Sequence, residues 1–387
     1  MVEKSTNPDF MVKCKSAFVG GMRVKLKDIT KFSKGTQING KNLIDDGAYS
    51  YLNGGINPSG KWNEFNVAEN TVTISEGGNS SGYVNYMNEA FWCGAHCYYL
   101  YDGPKNSKYL YYALKSQQER LFRIRSGACM PNIKKSDLGN FIIEYEEDET
   151  RQEEVVKVLE KCELLIEDYN KKLALLDEAV RARFVEMFGD PVINDKKWLT
   201  VSVENLCDEI YGGGTPSKAH KEYYENGDIP WVSSKDMKTD VLTDSQIKIN
   251  QLGIENSTAR LVPVNSVIMV IRSGILKHTL PVAINAVPIT VNQDLKVFIP
   301  GNKITPRFLA MQFKMHEKSI LFGVRAVTAD NIEFNSLKAR KMIVPPLELQ
   351  NQFASFLEEI DKSRSRIQKS LEASQELFDS LMQEYFG

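Results

Sequence analysis

Two stretches of the chain carry apolar residues at a mean spacing of 3.5. In the first, Val155, Leu159, Cys162, Ile166, Tyr169, Leu173, Leu176 and Val180 follow one another in alternating steps of four and three. That rhythm draws one stripe along a helix and is the seam of a coiled coil. In the second, Phe353, Leu357, Ile360, Arg364, Ile367, Leu371, Ser374, Phe378, Leu381 and Tyr385 keep the same rhythm, with Arg364 and Ser374 as polar interruptions. Interruptions of this kind fix register and partner. The spacing predicts helices from about Glu149 to Phe188 and from about Leu347 to Phe386, each about 60 Å long. A long helix with a single apolar stripe needs something to cover it. The side chains expected to pack the two helices together are Leu159, Ile166, Tyr169, Leu173 and Leu176 with Leu357, Ile360, Ile367, Leu371 and Phe378.

The two stretches align without a gap at an offset of 198 residues. Gln152 falls on Gln350, Leu159 on Leu357, Glu160 on Glu358 and Leu173 on Leu371, and Glu186-Met187-Phe188-Gly189 falls on Glu384-Tyr385-Phe386-Gly387. Weaker matches precede them. Asn132-Ile133 and Leu138 resemble Asn331-Ile332 and Leu337, and Tyr111 to Leu114 resembles Phe308 to Met311. Thr73 to Ser75 sits like Val270 to Arg272, and Lys34 to Gln37 like Gly213 to Pro216. The chain therefore reads as two copies of one unit, a globular domain followed by a long helix.

Inside the globular parts, Thr71–Ser75, Cys97–Tyr101, Ser266–Ile271 and Leu295–Ile299 are β-branched or aromatic runs bounded by turn formers and predict strands. Tyr109–Arg123 and Pro306–Leu321 have helical period. Polar loops are expected at Gly54–Trp62, Glu76–Tyr83 and Gly212–Tyr224. The organisation expected is a leader at 1–19, a domain at 20–145, a helix at 146–189, a linker at 190–197, a domain at 198–345 and a helix at 346–387. The fold class is α+β: two mixed α/β domains in pseudo-twofold repeat, separated by two long antiparallel coiled-coil helices.

Composition narrows the class. Of the 387 residues 42% are hydrophobic and 25% charged, the balance of a globular chain rather than a disordered one. No apolar run reaches the length of a membrane-spanning helix. Six cysteines are sparse for this length, which suits a reduced, cytoplasmic protein. The net charge of −2 hides a pattern. Residues 20–143 hold 15 basic and 10 acidic side chains (+5), and residues 198–343 hold 17 and 14 (+3). The helical stretches 144–189 and 344–387 stand at −7 and −4. A polyanion is drawn to the domains and repelled by the helices.

Catalytic patterns are incomplete. Val344-Pro345-Pro346-Leu347 has the prolines of the DNA amino-methyltransferase motif without its polar first residue or its stacking aromatic, and reads as a strand-to-helix connector. Gly212-Gly213-Gly214-Thr215-Pro216 matches neither a dinucleotide fingerprint nor a phosphate loop. Asp236-Met237-Lys238 and Asp294-Leu295-Lys296 have nuclease-like spacing but lack an upstream acidic partner. Cys93, His96 and Cys97 make at best part of a zinc site, and a buried strand with a satisfied histidine suits them better. No catalytic residue and no metal ligand is assigned.

The groups that DNA reading needs are present. Phosphates are held by Lys, Arg, Ser, Thr and backbone amides, and base edges by Arg, Lys, Asn, Gln, Ser and Thr. The loop from Ser75 through Asn79, Ser80 and Ser81 offers small hydrogen-bonding groups and glycines. Its counterpart offers Arg272, Ser273, Lys277 and His278. Lys34, Thr36 and Gln37 in the first domain and Thr215, Ser217 and Lys218 in the second are further candidates. So are Asn53, Arg123, Arg125, Ser233, Lys235 and Arg325.

Taken together, these features resemble the specificity subunits of type I restriction–modification systems. The resemblance runs from about Arg23 to the end of the chain. It rests on the domain–helix–domain–helix repeat and on Ile343-Val344-Pro345-Pro346-Leu347-Glu348-Leu349-Gln350, similar to the Pro-Pro-x-x-x-Gln start of the family's helical region. Leu206–Ser217 with Gly227-Asp228-Ile229-Pro230-Trp231-Val232, and Thr73–Tyr83 with Phe91-Trp92, add to it. One departure stands out: the first helix is approached through Ile143 to Glu147, without prolines. The resemblance implies two target-recognition domains, each reading half of a bipartite double-stranded DNA site, with the helices setting the gap. It implies two modification (methyltransferase) subunits carrying S-adenosylmethionine and restriction subunits carrying ATP and Mg, with no cofactor on this chain. The marked difference between the domain sequences then implies an asymmetric target. Three other readings fit parts of the sequence: the DNA-reading partner of a combined methylase–nuclease, a coiled-coil scaffold without DNA binding, and a stand-alone nuclease.

Overall fold

The computed structural model describes residues 21–127, 129–322, 324 and 331–387. They form two compact units, one of residues up to Lys171 with Gln368–Gly387, the other of Lys172–Ile367. Both boundaries fall in the middle of a long helix.

In the first unit the strands are β1 (Met22–Lys25), β2 (Lys31–Lys34), β3 (Tyr49–Leu52), β4 (Gly60–Trp62), β5 (Thr71–Ser75), β6 (Val84–Met87), β7 (Phe91–Cys93), β8 (Cys97–Tyr101) and β9 (Ile142–Tyr145). The helices are α1 (Leu26–Ile29), α2 (Ser107–Ser116), α3 (Gln118–Arg123), α4 (Lys135–Gly139) and the start of α5 (Glu149–Phe188). An antiparallel sheet runs in the order β2-β8-β5-β6, and a smaller one in the order β4-β3-β7 with β3 and β7 parallel. β1 pairs with β9 and so closes the domain's two ends onto each other.

The second unit repeats this plan. Its strands are β10 (Thr200–Ser202), β11 (Cys207–Gly212), β12 (Ile229–Val232), β13 (Val241–Leu242), β14 (Lys248–Ile249), β15 (Val267–Val270), β16 (Val282–Asn285), β17 (Thr290–Val291), β18 (Leu295–Pro300) and β19 (Lys341–Ile343). Its helices are α6 (Val203–Leu206), α7 (Gln251–Glu255), α8 (Pro306–Met315), α9 (Glu317–Leu321), α10 (Phe334–Ala339) and the start of α11 (Leu347–Phe386). The sheets are β11-β18-β15-β16-β13 and β14-β12-β17, with β10 on β19. Strand β13 and helix α7 are additions to the shared plan.

The hydrogen bonds set the true register of the repeat. Ile133 N donates to Glu76 O, and Ile332 N donates to Ile271 O, both at 2.9 Å. Glu76 N donates to His96 O at 2.8 Å, and Ile271 N to Asp294 O at 2.9 Å. Ser75 therefore corresponds to Val270, two residues from the alignment read off the sequence. The helices shift likewise: Tyr109, not Tyr111, corresponds to Phe308, since each is capped three residues earlier, by Asn106 and Thr305. Gly35 corresponds to Gly213, because both pass directly under a carbonyl of the neighbouring strand, Cys93 O and Val291 O, where no Cβ fits. Divergent domain sequences carry too few identities to fix such shifts.

The long helices begin and end where the periodicity places them. Neither contains glycine or proline. Along 164–183 the seam positions are half-buried and every other residue is exposed. Asp148 caps the first helix by accepting from Thr150 N at 2.9 Å. The matched glutamines bind both starts alike. Gln152 Nε2 donates to Glu146 O at 2.6 Å and Tyr145 Oη at 2.9 Å, and Gln350 Nε2 donates to Pro345 O at 2.9 Å. The missing prolines thus leave the first helix's start unchanged in kind. Gly189, at φ +76°, ends the first helix with its N–H on Val185 O, and Lys196 Nζ caps Glu186 O and Met187 O.

Within each unit the start of one long helix lies antiparallel to the end of the other. In the first, Val155, Leu159 and Cys162 share a core with Leu381, Met382 and Phe386. In the second, Phe184 and Phe188 meet Phe353 and Phe308, with Phe188 and Phe308 at 4.8 Å between ring centroids. Arg364, one of the polar interruptions, donates to Asp177 Oδ1 at 2.6 Å. The predicted helices Tyr109–Arg123 and Pro306–Leu321 are each broken, at Gln117 and His316. In the first, the break lets Gln117 Nε2 donate to Phe386 O at 3.0 Å and so tie the domain to the end of α11.

Candidate nucleic-acid interface

In each unit the polar loops gather at one end of the sheets because adjacent strands end together and their turns bond each other. In the first unit, Thr36 N donates to Cys93 O at 2.8 Å, Ser80 Oγ to Gly54 O at 2.5 Å and Gly78 N to Pro131 O at 2.9 Å. These bonds knit the turns after β2, β3, β5 and β7 to one another and to Pro131. Lys34, Asn53, Asn79, Ser80 and Arg125 are brought together there.

At the centre stands Glu76, which sequence reasoning passed over. Its carboxylate meets Lys34 Nζ at 2.7 Å and His96 Nδ1 at 3.4 Å. A concavity beside it is lined by Ser33, Lys34, Tyr98, Asn132, Lys134 and Lys135. Asn132, Lys134 and Lys135 were also missed. The signal available was the basic pair directly after a residue that the repeat marks.

Several candidates serve structure instead. Ser75 and Ser81 are buried, with Ser81 Oγ on Glu76 O at 2.8 Å, so neither reaches a ligand. Asn53 Oδ1 accepts His96 N at 3.3 Å and shapes the turn. Arg125 donates to Phe122 O at 2.7 Å and Asn79 O at 3.3 Å, fastening the loop it sits beside. Thr36 and Gln37 are exposed, and Thr36 lends its carbonyl to Trp92 Nε1 at 2.7 Å. Arg123 lines a separate groove with Arg120 and Asp137. His96 occupies the turn between β7 and β8, exposed and partnered by Glu76. Cys93 and Cys97 lie below it, buried. Cys93 Sγ donates to Cys97 O at 3.4 Å, and its hydrogen bonding with the Cys97 side chain, then burial, push the Cys93 thiol far up, against a thiolate ligand.

In the second unit, Gly214 N donates to Val291 O at 3.0 Å and Asn292 N to Val232 O at 2.9 Å, joining the turns after β11, β12 and β17. Thr215 Oγ1 bonds Gln293 Oε1. Arg272 meets Asp294 through Nε at 2.7 Å and Nη2 at 2.6 Å. Ser273 caps a short 3-10 turn, Gly274–Lys277, and Lys277 and His278 are exposed on it. Ser217, Lys218 and Lys235 are exposed on their loops. Ser233 Oγ is held by Asp236 at 2.8 Å. Arg325 lies outside the described residues. The Asp-x-Lys triplets take on turn chemistry. Asp236 also accepts Ser233 N and Gln246 N, and Asp294 carries Arg272.

Two copies of one α/β domain, each on long helices and each presenting a cluster of polar and cationic loop tips, define a duplicated two-domain architecture. The type I restriction modification DNA specificity domain matches residues 20–177 and 195–375, and the chain belongs to that family. A type I restriction enzyme specificity subunit of Escherichia coli is 30% identical over 232 residues, 58% of this chain and 55% of the relative. A putative type I specificity subunit of Mycoplasma pneumoniae is 36% identical over 149 residues, 38% of this chain and 40% of the relative. The matches thus span about half the length of these relatives or less. One from Methanocaldococcus jannaschii is 25% identical over 297 residues, covering 71% of this chain and 67% of the relative. The crystal structure of a type I restriction–modification S subunit from M. genitalium covers 96% of this chain and 98% of its own, with a TM-score of 0.66 at 18% identity. It shares the fold.

Proposed function

We propose that this chain is the non-catalytic, DNA-reading specificity subunit of a cytoplasmic type I restriction–modification complex. Each domain reads half of a bipartite, asymmetric site, and the long helices set the gap. Two modification subunits bind and supply S-adenosylmethionine chemistry at adenine. Restriction subunits add ATP- and Mg-dependent cleavage. The observation that carries this reading is the divergence of loop tips on one shared plan. Matched hydrogen bonds place Gly77 and His96 of one domain where the other has Arg272 and Asp294. Two copies of one scaffold with different tips suit two different half-sites, since phosphate contacts position and side chains at base edges specify.

The test is a methylation map. The chain is expressed with its modification subunit in a host free of N6-methyladenine. A bipartite motif with a fixed gap, absent without this chain, is expected. No motif from an active, co-purifying methyltransferase would refute the reading.

A further inference from the structure

We propose that Arg272 reads a guanine in the half-site of the second domain and that Asp294 is its positioning residue. This rests on the specificity-subunit reading above and goes beyond it to one residue and one base. Arg272 directly follows the buried Ile271 at the end of strand β15, where its N–H shares Asp294 O with Ile271 N. Its backbone also bridges Asn331. The Cα is therefore fixed by the sheet while the side chain stays about half exposed, at 47%.

The guanidinium is fixed as well. Asp294 Oδ1 accepts both Nε and Nη2, at 2.7 and 2.6 Å. Asp294 is itself held: its Oδ2 accepts Asn292 Nδ2 at 3.2 Å and its N–H donates to Asn292 Oδ1 at 3.0 Å. An arginine has five N–H donors in a rigid fork. Engagement through Nε and Nη2 uses the side edge. It leaves the end edge, one N–H of Nη1 and one of Nη2, as two parallel donors on a side chain that is half exposed. Among the described residues Nη1 has no partner. Two parallel donors at that spacing match O6 and N7 of guanine in the major groove and no other base edge there. A phosphate contact needs no such orienting carboxylate, and an acid beside a phosphate site opposes binding.

The first domain has no counterpart. Its equivalent positions are Gly77, bridged to Asn132 as Arg272 is to Asn331, and His96, whose carbonyl takes Glu76 N as Asp294 O takes Ile271 N. The device, and the guanine it reads, belongs to one half-site only.

The test uses the complex of this chain with its modification subunit and duplexes varied one base pair at a time across the mapped motif. Arg272→Ala should lower selectivity roughly 5- to 150-fold at one guanine of one half-site and leave the other half-site unchanged. Replacing that guanine by 7-deazaguanine should cost the wild type a similar factor and cost the variant nothing. Asp294→Ala should relax the same position, and the double variant should be no worse than Arg272→Ala. Arg272→Gln covers the case in which the alanine variant fails to assemble. Unchanged selectivity at every position in an assembled variant would overturn the proposal. So would a uniform loss across all sequences, the signature of a phosphate contact. A wild-type complex that methylates no bipartite motif would instead sink the reading beneath it.

Discussion

Phe188 ends a helix that starts beside the first domain, yet it is wholly buried in the second unit. Its ring sits 4.8 Å from Phe308, 5.1 Å from Phe184 and 5.7 Å from Phe353, centroid to centroid. Phe188→Ala deletes a ring packed among α5, α8 and α11, at a cost of about 3–5 kcal/mol for a core phenylalanine. For a unit of this size that lowers the melting temperature by roughly 6–20 °C. It also raises the exchange of the most protected amides by roughly 10²- to 10⁴-fold. Hydrogen exchange read by mass spectrometry on the full chain separates the units. Amides of β15 and β18 should exchange faster, while those of β5 and β8 keep their rates. Phe386→Ala, the matched position packed on Tyr109 at 5.2 Å, should do the reverse. If Phe188→Ala left β15 and β18 protected, or speeded β5 and β8 equally, the account of each domain as completed by the other repeat's helix end would fail.

Three further outcomes are expected. Gln350→Ala strands Thr305 N–H, which Gln350 Oε1 accepts at 2.8 Å, and the Pro345 carbonyl, at about 2–4 kcal/mol in a thermal melt. An unchanged melt would contradict the role of the glutamine at the helix start. His316 is buried, and burial first, then the Arg340 guanidinium, hold its pKa down from 6.5 to about 4. Its folded pKa lies below the unfolded one, so the stability of the neutral ring is full above pH 6.5. It drains as pH falls toward 4, by about 3 kcal/mol. His316→Gln should flatten melting against pH in that window, and an identical slope in both proteins would refute this. Inserting one heptad into each long helix at matched positions lengthens the rod by about 10 Å and should widen the methylated motif's gap by about three base pairs. An unchanged gap would refute the ruler.

The helices were legible because a 3.5-residue seam is a local pattern repeated over many turns. Even the interruption at Arg364 read true, as a side chain that pairs with a specific partner, Asp177. Strands such as Thr71–Ser75 were legible as β-branched runs between turns. The repeat's register inside the domains was not, because it lives in hydrogen bonds between strands far apart in sequence. The loop tips were only half legible. Side chains alternate sides along a strand, so a single step separates buried Ser75 from Glu76, which faces Lys34. Residue type alone favoured the serine. Glu76 was not among the candidates, and Asp294 was weighed only within an Asp-x-Lys triplet. Only the geometry shows them orienting the cations beside them.

The central claim, that each domain addresses its own half-site, is tested most directly by duplication. A chain carrying residues 198–345 in both domain positions, expressed with the modification subunit, should methylate a motif whose two halves are the same second half-site in inverted repeat. Methylation of the original asymmetric motif by that chain, or of one with unlike halves, would contradict the claim.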